Sequence, residues 1–350
     1  MRILYQLFQP TPPGSPAEKQ MNLLKKIADV DTSPFPETKE EWLEKIKDVS
    51  VTGSIRLPAG FQSWDELLDA APKLAMMQIP FVGYDHVQAG GGLDSCTRHG
   101  IIVCNVAEDM SEAVAQHAMA LIMDLSKNVS RLDTSLRRTR SWEKALKEAR
   151  VGFELWGKTL GVIGLGNIGG RLAMKCRTAF NMRVIACDPF LYPAGAQRYG
   201  AELVDLPTLL KESDIISVHT FLARGGPNPT YHLLGAKEFG MMKKTAVLVN
   251  TSRGPVIDEP ALFEALKNGK IAGAGLDVFE TEPIAADNPL FDLDNVVLTP
   301  HTSSSTVEAG ISTPASALEN VIRFIQGKAP WWMINPIALP QARAKINAAK

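Results

Sequence analysis

The segment Gly164-Leu-Gly166-Asn-Ile-Gly169 constrains the fold more than any other stretch, because it links the apolar run "KTLGVIG" to a helical pattern. In that setting each glycine has its own physical task. Gly164 permits a tight turn, Gly166 lets the backbone approach a pyrophosphate, and Gly169 allows the helix to pack closely. The amides of Asn167 and Ile168 then face the phosphates at the positive end of the helix. Glycines also mark ordinary turns, so the motif alone is weak. A second mark is Asp188, which closes the next apolar run, "RVIACD", about 20 residues further on. A carboxylate there accepts hydrogen bonds from ribose hydroxyls and repels a 2'-phosphate, and no arginine follows it directly in "DPFLYP". Together the two marks outweigh the bland reading of a glycine turn and a capping aspartate before Pro189, and they point to NAD rather than NADP.

Short apolar runs alternate with helical patterns along almost the whole chain, the signature of parallel sheets wound with helices. "KTLGVIG", "RVIACD", "DIISVH", "TAVLVNT", "IAGAGLDV" and "NVVLTP" predict the strands of one α/β unit. Earlier runs, "RILYQLF", "VSVTGS", "LAMMQI" and "IIVCNV", separated by amphipathic segments at 39–47 and 63–70, predict a smaller one. From Ser111, the positions Val114, His117, Ala118, Leu121, Ile122 and Leu125 recur at three- and four-residue steps, so a long helix leads out of the smaller unit. A second long helix is expected in "STVEAGISTPASALENVIRFIQG", with Ser303 to Ser305 starting it, and the tail "KAPWWMINPIALP" is too rich in proline for another. The simplest account is a first domain split between residues 1–107 and 303–350, with residues 108–302 inserted as the nucleotide-binding domain.

Composition sets the outer bounds. A chain of 350 residues favours about two domains. Apolar and charged fractions of 45% and 21% are those of an ordinary globular protein and exclude a disordered or fibrous chain. Net charge is −1, and the densest basic stretch, "RLDTSLRRTR", reads as a solvated helix face, so no nucleic-acid partner is expected. No run approaches a membrane span, and the opening "MRILYQLFQPTPPG" suits a buried strand better than a signal sequence. Cys96, Cys104, Cys176 and Cys187 form no C-x-x-C pair; they read as free thiols in a reducing cytoplasm, and no metal site is expected.

Three further positions follow predicted strands, at the ends where open α/β sheets bind ligands. Arg253 follows "TAVLVNT", Glu282 follows "GAGLDVFE", and His301 follows "NVVLTP". The planar fork of an arginine suits a carboxylate substrate. Histidine is the side chain best suited to exchange protons near neutrality, and an adjacent glutamate favours its charged form. Singly, each has a duller reading: a surface ion pair, a solvated loop residue before proline, a structural histidine. Beside a dinucleotide fingerprint the three together reverse that balance.

The stretches "GKTLGVIGLGNIGGRLA", "AVLVNTSRGPVIDEPALFEALKNGKIAGAGLDVFETEP" and "NPLFDLDNVVLTPHTSSSTVEA" resemble the D-isomer-specific 2-hydroxyacid dehydrogenases, and weaker similarity, as in "LAMMQIPFVGYDHV", covers most of the chain. The resemblance implies a Rossmann NAD-binding domain inserted into a flavodoxin-like substrate domain, and a homodimer built largely on the cofactor domains. It implies hydride transfer between nicotinamide and C2 of a small 2-oxo acid or its D-2-hydroxy acid, in the direction of reduction, with glyoxylate or hydroxypyruvate as the type of substrate. Arg253 then binds the substrate carboxylate and carbonyl, His301 is the acid/base, and Glu282 pairs with it. Val82 and Gly83 match the loop whose amides hold the carboxylate, and Asp277 matches the residue near the nicotinamide carboxamide. His219, Thr220, Thr251 and Ser252, together with Arg253 and His301, are the remaining candidate cofactor contacts. Trp142, in a segment similar to the family's dimer arm, is expected to pack in a core or an interface.

Two stretches depart from the pattern. "CNVAED" has Ala107 and Glu108 where the family carries Pro-Gly, and "HTFLARGGPNPTYH" lacks the first proline of the usual "HxPLT" and is longer. Two alternatives remain at this level. A formate or phosphite dehydrogenase is a related enzyme, although formate dehydrogenases carry glutamine where Glu282 stands. A non-catalytic NAD(H)-sensing dimer of the corepressor type shares the fold.

Overall fold

The computed structural model describes residues 1–6 and 12–349, so the end of the run "RILYQLF" lies outside the described residues. The chain divides into two compact units, Met1–Met110 with Thr306–Lys350, and Ser111–Ser305. Each crossing falls three residues later than the sequence reading placed it. At the second crossing this is because Thr306, not the serines before it, caps the returning helix with its side chain on the amide of Ala309.

The first unit holds a parallel sheet of β1 (Arg2–Leu4), β2 (Asp29–Asp31), β3 (Val49–Gly53), β4 (Met76–Gln78) and β5 (Ile102–Cys104), in the order β2-β1-β3-β4-β5. Its helices before the crossing are α1 (Pro16–Ile27), α2 (Lys39–Ile46), α3 (Trp64–Asp69), α4 (Asp85–Gln88) and α5 (Gly92–Arg98). Strand β2, with two aspartates in three residues, was not legible as a strand; it sits at the sheet edge and is held by pairing to β1.

The second unit opens with α6 (Ser111–Lys127), α7 (Val129–Thr139) and α8 (Trp142–Lys147). Its seven parallel strands are β6 (Thr159–Ile163), β7 (Arg183–Cys187), β8 (Glu202–Leu203), β9 (Ile215–Val218), β10 (Val247–Asn250), β11 (Gly273–Leu276) and β12 (Val296–Leu298), ordered β12-β11-β10-β9-β6-β7-β8. Between them run α9 (Asn167–Phe180), α10 (Pro193–Gln197), α11 (Leu206–Glu212), α12 (Ala236–Phe239) and α13 (Glu259–Lys267). The order reverses between β6 and β9, which is the doubly wound arrangement whose switch point binds ligands outside the carboxyl ends of the strands. Alternate residues serve opposite faces: Leu160, Val162, Val184 and Val249 enter one core, and Ile163, Ile185, Ile216 and Leu248 the other. Burial on both faces explains why these strands read as unbroken apolar runs.

The chain then re-enters the first unit through α14 (Val307–Ile325), which packs on α1, and α15 (Leu339–Ala348). The helix α15 begins inside the tail expected to be irregular, because Pro340 falls in its first turn, where proline costs no helical hydrogen bond. Among the described residues no helix is long and apolar enough to cross a membrane.

Candidate active site

The glycine turn leaves β6 at Ile163. Gly164 has φ of +90°, and a Cβ there would lie 2.8 Å from the carbonyl oxygen of His219, so both conformation and space require glycine. Gly166 caps α9 without a side chain, and a Cβ on it would meet nothing within 4 Å. At Gly169 a Cβ would fall 2.2 Å from the carbonyl oxygen of Gly164, so the first helical turn lies directly on the loop. Asp188 holds this turn from the next strand: one carboxylate oxygen accepts from the amide of Leu165 and the other from that of Phe190, each at 2.9 Å. A carboxylate offers about four acceptor positions, so capacity remains for a ribose diol. Open space before an uncapped helix N-terminus, with a carboxylate at the neighbouring strand end, fits a dinucleotide.

Arg253, Glu282 and His301 follow β10, β11 and β12, three adjacent parallel strands, and the structure brings the last two into contact. Nδ1 of His301 lies 2.7 Å from Oε2 of Glu282, while Oε1 of the glutamate accepts from the amide of Phe279 at 3.0 Å. One imidazole nitrogen is thus committed, and Nε2 is left for a reacting partner. The ring is 46% exposed. Arg253 enters the next turn in an extended conformation, its Nη1 donating to the carbonyl of Ser252 at 2.6 Å. A Cβ on the following Gly254 would fall 1.8 Å from the carbonyl oxygen of Phe279; only glycine lets the loop carrying Arg253 lie against the one leading to Glu282.

Asp277, expected near the nicotinamide carboxamide, is held by contacts within the chain. Its carboxylate is fully buried and bound to the chain itself. Oδ1 accepts from the hydroxyl of Thr299 at 2.6 Å and from the amide of Thr302 at 2.9 Å, and Oδ2 accepts from the amide of Ser303 at 2.9 Å. Its own carbonyl oxygen accepts from the amide of His301 at 2.8 Å. It therefore holds the amides of residues 301 to 303 and the side chain of Thr299 around His301, which sits in the left-handed region at φ of +52°. Ser303 is half of that grip and not the start of a helix. His117 of α6 adds Nε2 at 3.0 Å from Oγ1 of Thr299. Neither His117 nor Thr299 was singled out for chemistry from the sequence; the available signal was a histidine within an otherwise apolar helix stripe.

The other expected contacts fall as follows. His219 is a packed imidazole, its Nε2 2.8 Å from Oγ of Ser217 and its Nδ1 buried without a partner; burial pushes its pKa down to about 3, so it carries no charge to offer a phosphate. Thr220 bonds weakly to the neighbouring carbonyl at 3.4 Å. Oγ1 of Thr251 is buried and unpartnered, whereas Ser252 is tied by its amide and hydroxyl to Oδ1 of Asn250. In the first unit, Val82 and Gly83 lie on the loop after β4, pinned where Nδ2 of Asn105 donates to the carbonyl of Val82 at 2.8 Å. Trp142, expected in a core or interface, is 75% exposed at the start of α8 and so belongs to no core of this chain. No group of three or more His, Cys, Asp or Glu able to hold a metal occurs among the described residues.

Residues 119–303 match the family model described as "D-isomer specific 2-hydroxyacid dehydrogenase, NAD binding domain". A D-3-phosphoglycerate dehydrogenase of Methanocaldococcus jannaschii is 37% identical over 93% of this chain, which spans only 59% of that protein. A glyoxylate reductase of Korarchaeum cryptofilum is 38% identical over 86% of this chain and 87% of its own. Among solved structures, a glyoxylate reductase from Paecilomyes thermophila superposes with a TM-score of 0.79 at 27% identity, covering 95% of this chain and 98% of that one.

Proposed function

The chain belongs to the D-isomer specific 2-hydroxyacid dehydrogenases and takes NAD, and from that premise we propose that it reduces a small 2-oxo acid of the glyoxylate or hydroxypyruvate type to its D-2-hydroxy acid. The observation that carries the proposal is the Glu282–His301 contact at 2.7 Å, beyond the carboxyl ends of β11 and β12, which lie beside β10, the strand that Arg253 follows. When bound, the nicotinamide supplies or accepts the hydride. Asn167 and Ile168 offer amides to the pyrophosphate at the open N-terminus of α9, and Asp188 accepts from the ribose.

The remaining chemistry belongs to the chain. Arg253 binds the substrate carboxylate through its planar fork and polarises the carbonyl. Val82 and Gly83 are proposed as substrate contacts on the resemblance alone. His301, steadied through Nδ1 by Glu282, gives a proton from Nε2 to the carbonyl oxygen, or takes one from the hydroxyl in the reverse direction. The test is a panel of 2-oxo acids with NADH and with NADPH, followed by loss of the reduced cofactor. Multiple turnovers with NADH support the assignment; NADH binding without turnover on any of them overturns it.

The homodimer is likewise a proposal. It is supported by Val129, Leu136, Trp142, Leu146, Val151 and Trp156, large apolar side chains left exposed on and after α7 and α8. Sedimentation equilibrium tests it, and a monomer at micromolar concentration would exclude it. A cytoplasmic location is supported by four free thiols, with burial pushing Cys96 and Cys176 up to about 12.

A further inference from the structure

We infer that His117, on α6, is a positioning residue for the reaction, acting through Thr299 and Asp277 on the short segment that presents His301. The inference rests on the assignment of His301 as acid/base.

The direction of the hydrogen bonds carries the argument. A threonine hydroxyl has one proton to give. Oγ1 of Thr299 lies 2.6 Å from Oδ1 of Asp277, a carboxylate whose two oxygens already take the amides of Thr302 and Ser303. The hydroxyl proton therefore goes to Asp277, and the Thr299 oxygen must accept from Nε2 of His117 at 3.0 Å. The order is His117 Nε2–H to Thr299 Oγ1–H to Asp277 Oδ1, and it requires His117 to carry its proton on Nε2.

The end of this chain is the reacting loop. Asp277 holds the amides of residues 301, 302 and 303 with its carbonyl and carboxylate, and Thr299 is held at the other side of the histidine. His301 is one of the few non-glycine residues with positive φ, a conformation that persists only where surrounding contacts over-determine it. The imidazole makes its Nδ1 contact with Glu282 only if that backbone stays in place. His117 is 23% exposed and approaches Asp277 itself to 3.6 Å. A histidine kept merely for packing needs no such alignment with a threonine and a fully buried carboxylate.

The test compares the intact protein with H117L, H117Q and T299V, measuring kcat, KM for the 2-oxo acid, NADH affinity and thermal midpoint, and solving the H117L crystal structure. Removing the donor in H117L should lower kcat by about ten- to a hundredfold, since a displacement of about 1 Å costs up to about 10² in rate, with NADH affinity within about twofold. H117Q, whose amide can still donate, should recover most of that loss. T299V should match H117L, and the double variant should be no worse than either, because both cut the same chain. A kcat for H117L within about twofold of the parent, or a double variant with additive losses, overturns the inference. If the parent turns over no 2-oxo acid, the proposed reaction fails by itself, and the crystal structure decides the present point. Displacement of residues 299–303 with loss of the His301–Glu282 contact supports it, and an unchanged loop rejects it.

Discussion

The two units solve one problem, fixing irregular backbone at a strand end, with different chemistry. In the first unit the fasteners are neutral amides. Asn335 donates to the carbonyl of Ile101 and to Thr97 and accepts from the amide of Val103, while Asn320 joins Gln78 to both backbone groups of Trp331. In the second unit two of them are carboxylates, Asp188 on the glycine turn and Asp277 on the His301 loop, beside the amide of Asn250 at the end of β10. A neutral amide is cheaper to bury, and it both donates and accepts, which suits stitching segments far apart in sequence. A buried carboxylate only accepts, costs more to desolvate, and makes stronger bonds to backbone amides. The dearer fastener stands under backbone in an unfavourable conformation, at Gly164 and at His301, the proposed acid/base.

The sharpest way to break this contrast is to separate holding from reacting. His301→Gln should lower kcat by about 10²–10⁴ while leaving the thermal midpoint within a few degrees, since the ring is the proposed acid/base and is half exposed. A fall of less than tenfold in a kinetic assay would return His301 to a structural role. Asn335→Leu should do the reverse, costing about 3 kcal/mol in urea unfolding, because the amide of Val103 and the carbonyl of Ile101 lose a buried partner. Unchanged stability there would show that amide stitching is dispensable.

His219 tests the second unit by pH. Its folded pKa, about 3, lies below the unfolded value of 6.5, so the unfolded chain binds the extra proton. The stability it permits is complete above about 6.5 and is lost as pH falls from there towards 3. At pH 5 the burden is about 2 kcal/mol, from about 1.4 kcal/mol per unit of pH, and His219→Asn should remove it and flatten the acid limb of denaturation. An acid limb identical to that of the parent would place the sensitivity elsewhere. The smallest effect is expected at Asp188. Replacement by alanine should weaken NADH about tenfold, or about 1.4 kcal/mol, and narrow the preference over NADPH, as read by fluorescence titration. Unchanged selectivity would leave Asp188 only its grip on Leu165 and Phe190.

What could be read from the sequence follows the same physics. The inner strands of the second sheet were legible because both faces are apolar, and the glycine turn because close approach leaves no other residue possible. The edge strands β2 and β8 were not, because β2 carries two aspartates in three residues and β8 has only two residues, whereas the edge strands β5 and β12 are apolar runs and were legible. Arg253, Glu282 and His301 were legible as residues that follow strand ends, and the structure joins the last two. The inward turn of Asp277 and the part played by His117 were not, because periodicity gives the face of a helix and says nothing of which loop lies against it. Ser303 was misread for a related reason: its amide is taken by a carboxylate 26 positions away in sequence.

The interruption of the first unit bears on the order in which the molecule can be assembled during synthesis. Its core places Ile3, Met21 and Val51 with Val321, Phe324 and Ile346, so that core cannot be completed during synthesis until residue 346 is made. Residues 111–305 are contiguous and bury their own apolar faces. Residues 111–305 are therefore able to fold before the unit that flanks them, and residues 1–110, made ahead of them, have to wait for residues 306–346.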